Sequence, residues 1–392
     1  MQTPSVKTTP PVPWGGALFS LGFRPFYLLA AALAIGGVAV WTIELLAAAG
    51  HPGPLPGIAW HAHEMVFGFG IAVITGFLFT AGRNWTGQPT PQGRLLAALC
   101  ILWVAGRFFL LTGPAWAAAL IDVSFLPAVA VCLWIPLHRA RNRNRFFVGL
   151  LLALAALNGL FHAAAAGIVE IPPLQPVRAG LYLIAVIVTI MGGRVIPSFT
   201  ANALRSARIR RRPWVDRAAI AATVVAFSFV LFSVPGFLAA AACLAAAVLQ
   251  ALRLLDWDPW CTRRTPILWI LHLSYAWIPL ALLLLGLAAA GAGVPVPLAD
   301  HAVAVGAVGG MIIGMITRTA RGHSGLPLAA GRLEIAAYAL VHLAAAVRVF
   351  GPLAYPDVTA AWMTAAGSLW CTGFLAYLIR FVPVLTALRP EA

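Results

Sequence analysis

The sequence predicts an all-α, polytopic membrane protein of about twelve transmembrane helices. Three observations predict this class: 61% of the 392 residues are hydrophobic, only 9% are charged, and long apolar runs recur along the chain. A soluble domain carries roughly a quarter charged residues, so the composition excludes a soluble globule. Twelve spans of about 20 residues each leave only short loops, and we therefore expect one integral membrane domain over residues 1–392.

Each apolar run is long enough to cross the hydrocarbon core of a bilayer as an α-helix. The runs fall near residues 26–49, 60–82, 94–112, 115–137, 146–168, 177–197, 216–234, 236–256, 266–290, 298–318, 332–350 and 359–382. The tightest junctions, at 112–114 and 233–236, are Pro/Gly turns that a helical hairpin requires. The Pro- and Thr-rich residues 1–17 have no apolar core, so we expect a flexible cytoplasmic segment rather than a signal peptide.

The basic residues follow this predicted topology. All but three of the 26 Lys and Arg residues fall on the side of the N terminus, the exceptions being Arg107, Arg178 and Arg348. The positive-inside rule then places both termini in the cytoplasm. Because the net charge of +15 lies in short loops between apolar runs, it is a topology signal, and we expect no nucleic-acid partner.

A weak internal repeat relates predicted spans 2, 6 and 10. Their inner ends read ITGFLFTAGRNWTG, IMGGRVIPSFTANA and IIGMITRTARGHSG, which are Gly-rich and carry an Arg followed by small polar residues. The four-span spacing suggests three four-helix units, although chance similarity among Gly/Ala-rich helices is a competing explanation.

Histidines inside the predicted spans are the main functional signal. Six of the nine lie there: His61, His63, His162, His272, His301 and His342. All except His272, which lies nearer the inner boundary, share the outer half of the bilayer. An ionisable residue in a membrane is costly unless it has a partner. Each imidazole could make an interhelical hydrogen bond, or several imidazoles could bind haem iron, copper or zinc. Five histidines at a matched depth favour a metal centre.

The segment Trp60-His61-Ala62-His63-Glu64-Met65 carries the densest pattern. On an α-helix, residues i and i+2 are about 200° apart, so His61 and His63 cannot both face one metal. We expect His63 to ligate one centre, and His61, with Glu64 and Met65 on its own face, to serve another. If the helix is unwound there, both histidines could chelate one metal.

The outer half is also predicted to hold the charged residues Glu44, Arg107, Asp122 and Arg348. Two interpretations are open. The arginines pair with the carboxylates as structural bridges, or the arginines bind haem propionates while the carboxylates form a proton route.

Several long motifs, in order, resemble the NnrS family of bacterial haem- and copper-containing membrane proteins. They are LFSLGFRPFYLLA (18–30), WHAHEMVFGFG (60–70), GFLFTAGRNWTG (76–87), NGLFH (158–162), GGRVIPSFTANAL (192–204), WILHLSYAW (269–277), HAVAVGAVGGMIIGMITRTARGHSG (301–325) and VHLAAAVRVF (341–350). The resemblance implies b-type haem, copper, a role in the nitric oxide and denitrification response, and a bacterial inner-membrane location. It adds His323 to the candidate ligands and leaves open which histidine holds which metal.

The candidate residues therefore form three overlapping groups. For catalysis we expect Glu44, Glu64 and Asp122; for cofactor binding His61, His63, His162, His272, His301, His342, Arg107 and Arg348; and for metal ligation His61, His63, His162, His301, His342, His323 and Met65. Loss of haem is expected above all from removal of His63 or His342.

Three functions remain open from the sequence. The first is a haem–copper oxidoreductase that reduces nitric oxide and needs an electron donor; haem–copper oxidases, which also have twelve spans and an HxH helix, are a fold-level analogy. The second is a non-catalytic protein that binds or senses nitric oxide, haem or copper. The third is a secondary transporter, since twelve spans with internal repeats are also typical of that class.

Overall fold

The structure is a computed structural model that describes residues 16–47 and 50–387. Within these ranges the regular structure is entirely helical, and twelve helices are long and apolar enough to cross a membrane. The prediction of an all-α protein with twelve spans is confirmed. Most of the predicted cytoplasmic segment, residues 1–15, lies outside the described residues.

We number the spanning helices α1 to α12. They are α1 Phe23–Ala47, α2 Gly57–Thr86, α3 Gly93–Thr112, α4 Ala115–Arg139, α5 Phe146–Ala165, α6 Leu174–Ala203, α7 Pro213–Leu231, α8 Gly236–Leu255, α9 Pro266–Ala289, α10 Val296–His323, α11 Arg332–Ala354 and α12 Thr359–Thr386. The predicted runs match most of these ends to within a few residues. The largest difference between a predicted and an observed helix end is at the inner end of α6, where the helix continues through polar residues beyond the apolar run. The extension is possible because backbone hydrogen bonds form whether or not the side chains are apolar.

The first and last helices pack side by side, and α12 also packs along α11. Arg24, at the start of α1, donates from Nη1 to the carbonyl oxygens of Leu385 and Ala387, both at 3.0 Å. The two ends of the described chain therefore lie on one side of the helical bundle, as an even number of spans requires. We call this the inner side and the opposite one the outer side.

Two spans are interrupted by π-helical segments. In α2 the segment Glu64–Gly70 directly follows His63, and in α10 the segment Ala302–Gly309 directly follows His301. A π-turn is rare and is found frequently at functional sites. By contrast, α6 is a continuous α-helix from Leu174 to Ala203. Two members of the predicted repeat thus share a local irregularity that the third lacks, and the three-unit repeat stays a prediction.

Candidate functional site

A buried polar cluster joins four helices in the outer half of the bundle. It takes residues from α2, α3, α4 and α5, and all of their side chains are at most 10% exposed. We call it the carboxylate–histidine cluster; its members are His63, Glu64, Arg107, Asp122, Asn158 and His162.

Hydrogen bonds fix both nitrogens of His63. Its Nδ1 lies 3.1 Å from a carboxylate oxygen of Glu64, and its Nε2 lies 2.8 Å from Asn158 Oδ1 and 3.1 Å from Asp122 Oδ2. The same Asp122 oxygen lies 3.1 Å from Nε2 of His162. Ligand atoms of the two histidines and Asp122 all lie within 4.8 Å of one another, a grouping that could hold a metal ion.

Arg107 supplies the positive charge of the cluster. Its Nη2 donates to Asp122, and its Nε lies 3.2 Å from Glu64 Oε2. Two buried carboxylates thus share one guanidinium, which stacks over the ring of Trp103 at 5.4 Å. Buried charges of this kind persist only when they are paired. Arg107 and Asp122 therefore pair as the structural-bridge interpretation predicts, and Glu64 is an additional partner of Arg107.

A cavity of about 260 Å³ lies beside this cluster, between α1, α2, α6, α10, α11 and α12. Most of its wall is aliphatic or aromatic, and both π-helical segments contribute to it. Its charged and imidazole residues are His61, Arg178, Asp300, His301 and Arg348. We call it the histidine cavity.

The two imidazoles of the histidine cavity have nitrogens suited to a ligand. His61 stacks on Trp41, with ring centroids 5.2 Å apart, and its buried Nδ1 has no hydrogen-bond partner among the described residues. His301 Nδ1 donates to the carbonyl of Pro297 at 2.6 Å. That bond places the proton on Nδ1, so the lone pair of Nε2 remains available, which is the usual arrangement of a metal-binding histidine.

The two arginines of the cavity differ in their partners. Asp300 accepts from Arg178 Nε at 2.9 Å and from the hydroxyl of Tyr182 at 2.7 Å. Arg348 forms no ion pair with the described part of the chain. Its charge therefore faces the cavity without a neutralising carboxylate, and the predicted bridge from Arg348 to Glu44 or Asp122 does not form. Glu44 instead pairs with Nδ1 of His51 at 2.7 Å.

The HxH segment divides between the two sites. His61 lines the histidine cavity together with Met65, whereas His63 lies in the cluster. Glu64, expected on the face of His61, is bonded to His63 instead. The helix changes from α to π at Glu64, so the α-helical angular spacing used for that expectation does not hold beyond His63.

Three other candidate histidines lie outside both sites. His342 accepts a hydrogen bond at Nδ1 from Trp277 at 3.0 Å, and its Nε2 faces Ser274 Oγ at 3.4 Å. His272 lies in the inner half of α9, with Nδ1 3.2 Å from the carbonyl of Leu268. His323 lies at the inner end of α10, where its ring packs against Phe23 at 5.5 Å. From its depth in the membrane, His342 was expected beside the other outer histidines. The rotation of α11 about its axis instead directs its side chain toward α9.

Four residues of the two sites were not singled out from the sequence: Asn158, Arg178, Tyr182 and Asp300. Asn158 was detectable as a lone amide within an apolar run, in the motif NGLFH. Arg178 was visible as one of three basic residues away from the inner side. Asp300 was detectable as a carboxylate inside the predicted span 298–318, next to His301. Nothing local marks Tyr182, because its role depends on the approach of α6 to α10.

The fold and the two sites define a multi-pass helical membrane protein with a histidine-lined cavity and a separate buried carboxylate–histidine cluster. The chain belongs to the NnrS family: the family described as NnrS protein matches residues 17–389, nearly its whole length. The resemblance predicted from the motifs is thereby confirmed. A comparison with curated proteins gave no match.

Proposed function

We propose that this protein binds haem and copper and that it binds and reduces, or otherwise detoxifies, nitric oxide in a bacterial inner membrane. The observation that carries the proposal is the histidine cavity, where imidazoles from two helices face one largely apolar space beside an arginine without a carboxylate partner. Membership of the NnrS family, whose resemblance implies the same cofactors, supports it.

The residues of the histidine cavity fit a haem. Imidazole is a common axial ligand of haem iron, and a guanidinium binds carboxylates such as the propionates. His61 has an unsatisfied buried nitrogen, and His301 is held in the tautomer that leaves Nε2 free. We assign His61 and His301 to the iron and Arg348, with Arg178, to the propionates. This assignment replaces the expected pair His63 and His342, neither of which lines the cavity.

The donor set of the cluster fits copper. Two imidazoles and one carboxylate, from His63, His162 and Asp122, are nitrogen and oxygen donors of the type that Cu(II) accepts. Asn158 and Arg107 donate hydrogen bonds to Asp122 and would hold its carboxylate in place, as the hydrogen-bonded neighbours of metal ligands do. When bound, haem and copper supply redox change and a coordination position for a small diatomic molecule.

The side chains of the protein would provide access and protons. The apolar wall admits an uncharged gas and excludes ions, and the uncompensated Arg348 favours an anionic group. Reduction of nitric oxide consumes protons and electrons, so it requires proton transfer and an electron donor. In our proposal Glu64 transfers protons at an oxygen 3.1 Å from Nδ1 of His63, and Glu44 with His51 lies on the outer approach.

The test combines spectroscopy with turnover on purified full-length protein. We expect a Soret band, copper by elemental analysis and, after anaerobic reduction, consumption of nitric oxide with release of nitrous oxide. His272→Ala, which changes an imidazole outside both sites, is the matched control and should retain all three properties.

Two results would overturn parts of the proposal. A Soret band that shifts with nitric oxide while no nitrous oxide forms would leave a binding or sensing protein. Protein that contains neither haem nor copper when it is made with both available would contradict the whole assignment, and transport would then be the function to test.

A further inference from the structure

A second, smaller cavity lies at the inner side, between the inner ends of α6, α7 and α8. Its volume is about 50 Å³, and its charged residues are Arg210, Arg211, Arg212, Arg253, Asp216 and Asp256. None of these residues belongs to the two sites described above. We call it the arginine cavity.

The arginine cavity has an excess of positive charge. Arg212 binds Asp256 through two hydrogen bonds of 2.7 Å, from Nε and Nη2 to the two carboxylate oxygens. Arg253 Nε donates to Asp216 at 2.6 Å. Arg210 and Arg211 form no ion pair with described residues. Four guanidiniums therefore face two carboxylates, which leaves a net charge of +2 at the cavity.

Arg253 distinguishes this cavity from a patch of surface charge, because its guanidinium is buried among the helices. Its side chain is only 4% exposed, and its Nη1 donates to the carbonyl of Thr189 and the hydroxyl of Tyr275, both at 2.8 Å. Its Nη2 has no hydrogen bond to the described residues and lies against Gly193, where a Cβ would overlap it. This leaves one donor group of a mostly buried side chain without a protein partner at the cavity wall.

The loop that carries the other arginines is held in position. The amide of Arg210 donates to the carbonyl of Asp256 at 2.8 Å, and the amide of Arg208 donates to the side chain of Asp258 at 2.9 Å. Hydrogen bonding to Asp256 raises the pKa of Arg212 above its ordinary value, so the guanidinium stays charged. The donors are thus arranged before any ligand arrives.

Size and charge together select the ligand. A cavity needs about 10–15 Å³ of this volume to hold one water molecule. The arginine cavity, at about 50 Å³, therefore has room for roughly four water-sized groups, which suits the four oxygens of a tetrahedral oxyanion. Arginine forks match the oxygens of phosphate, and basic pockets between helices at this membrane level bind lipid head groups. We propose that the arginine cavity binds a phosphate group, supplied by an anionic phospholipid or by free phosphate.

The experiment uses full-length protein in nanodiscs of phosphatidylcholine, with the melting temperature followed by tryptophan fluorescence. One arm replaces part of the lipid with phosphatidylglycerol, and the other adds inorganic phosphate against chloride at equal ionic strength. The test variant is R210Q/R211Q, which removes the two unpaired arginines. The control is R263Q/R264Q, which removes two exposed arginines of another inner loop.

We expect at least one ligand to raise the melting temperature of the wild type and of R263Q/R264Q. In R210Q/R211Q the concentration needed for half of that rise should increase tenfold or more. A rise with phosphatidylglycerol alone identifies the lipid as the source, and a rise with phosphate alone identifies the free anion. The proposal is overturned if neither ligand acts, or if both double variants respond alike.

Discussion

His61 and His63 are two positions apart on α2, yet their imidazoles lie in different sites. His61 stacks on Trp41 in the histidine cavity, and His63 is enclosed between Glu64, Asp122 and Asn158 in the cluster. One short segment thus contributes a ring to each site, and the two sites share α2 as a wall.

This division predicts separate losses from two single substitutions, given the proposed cofactors. His61→Ala should remove most of the Soret absorbance and keep the copper content, because His61 lines the histidine cavity and His63 does not. His63→Ala should have the converse effect. Haem by pyridine haemochrome and copper by mass spectrometry measure both. Equal loss of both cofactors in each variant would contradict two independent sites.

Asp122→Asn should destabilise the protein by about 1–3 kcal/mol, because it disrupts the buried hydrogen bonds that the carboxylate accepts from Arg107 and Asn158, while Glu64 still neutralises the guanidinium. Thermal unfolding of the purified protein measures the change. Glu170→Gln, at an exposed position of the outer side, removes the same charge and should leave the midpoint unchanged. Equal unfolding midpoints for the two variants would show that the Arg107–Asp122 pair contributes nothing to stability.

Gly306→Ala should cost about 1–3 kcal/mol, because a Cβ in the π-helical segment of α10 would overlap the indole of Trp277. Gly36→Ala is the matched control. No atom lies within 4 Å of a Cβ at Gly36, so the alanine should be neutral or stabilise α1 by up to about 1 kcal/mol. The same unfolding assay compares them, and a Gly306→Ala protein as stable as the wild type would show that the segment relaxes readily.

The orientation predicted from the basic residues can be tested with single cysteines in a variant without the five native cysteines. Ala292, in the loop between α9 and α10, lies on the outer side, and Ala329, between α10 and α11, lies on the inner side. A maleimide that cannot cross membranes should label A292C in intact spheroplasts and A329C only after permeabilisation. The opposite pattern would place both termini outside the cytoplasm.

The number and depth of the helices could be predicted because hydropathy and loop charge report them directly. For example, the apolar run at 236–256 became α8, Gly236–Leu255, and the run at 266–290 became α9, Pro266–Ala289. The number of helices and their depth both depend on how apolar and charged residues are distributed along the chain, which can be read directly from the sequence.

The rotation of each helix about its own axis could not be predicted in the same way. Glu64 and His342 lie at the depths expected from the sequence, but a π-turn directs the first to His63 and the packing of α11 directs the second to Trp277. In Ala- and Gly-rich helices that are apolar on all sides, no polar face indicates the direction of the core. The pairings of Asn158 with His63 and of Asp300 with Arg178 therefore emerge only from the structure.

The bond from Arg24 to Leu385 also bears on biosynthesis. The two residues are separated by 361 positions, so at about 5–20 residues per second the ribosome needs roughly 20–70 s to supply the partner of α1. Throughout that interval α1 is inserted with α2 beside it but without α12, against which it also packs. Completion of the bundle is therefore a post-insertion event, and truncation within the last helix should expose the first one to quality-control proteases.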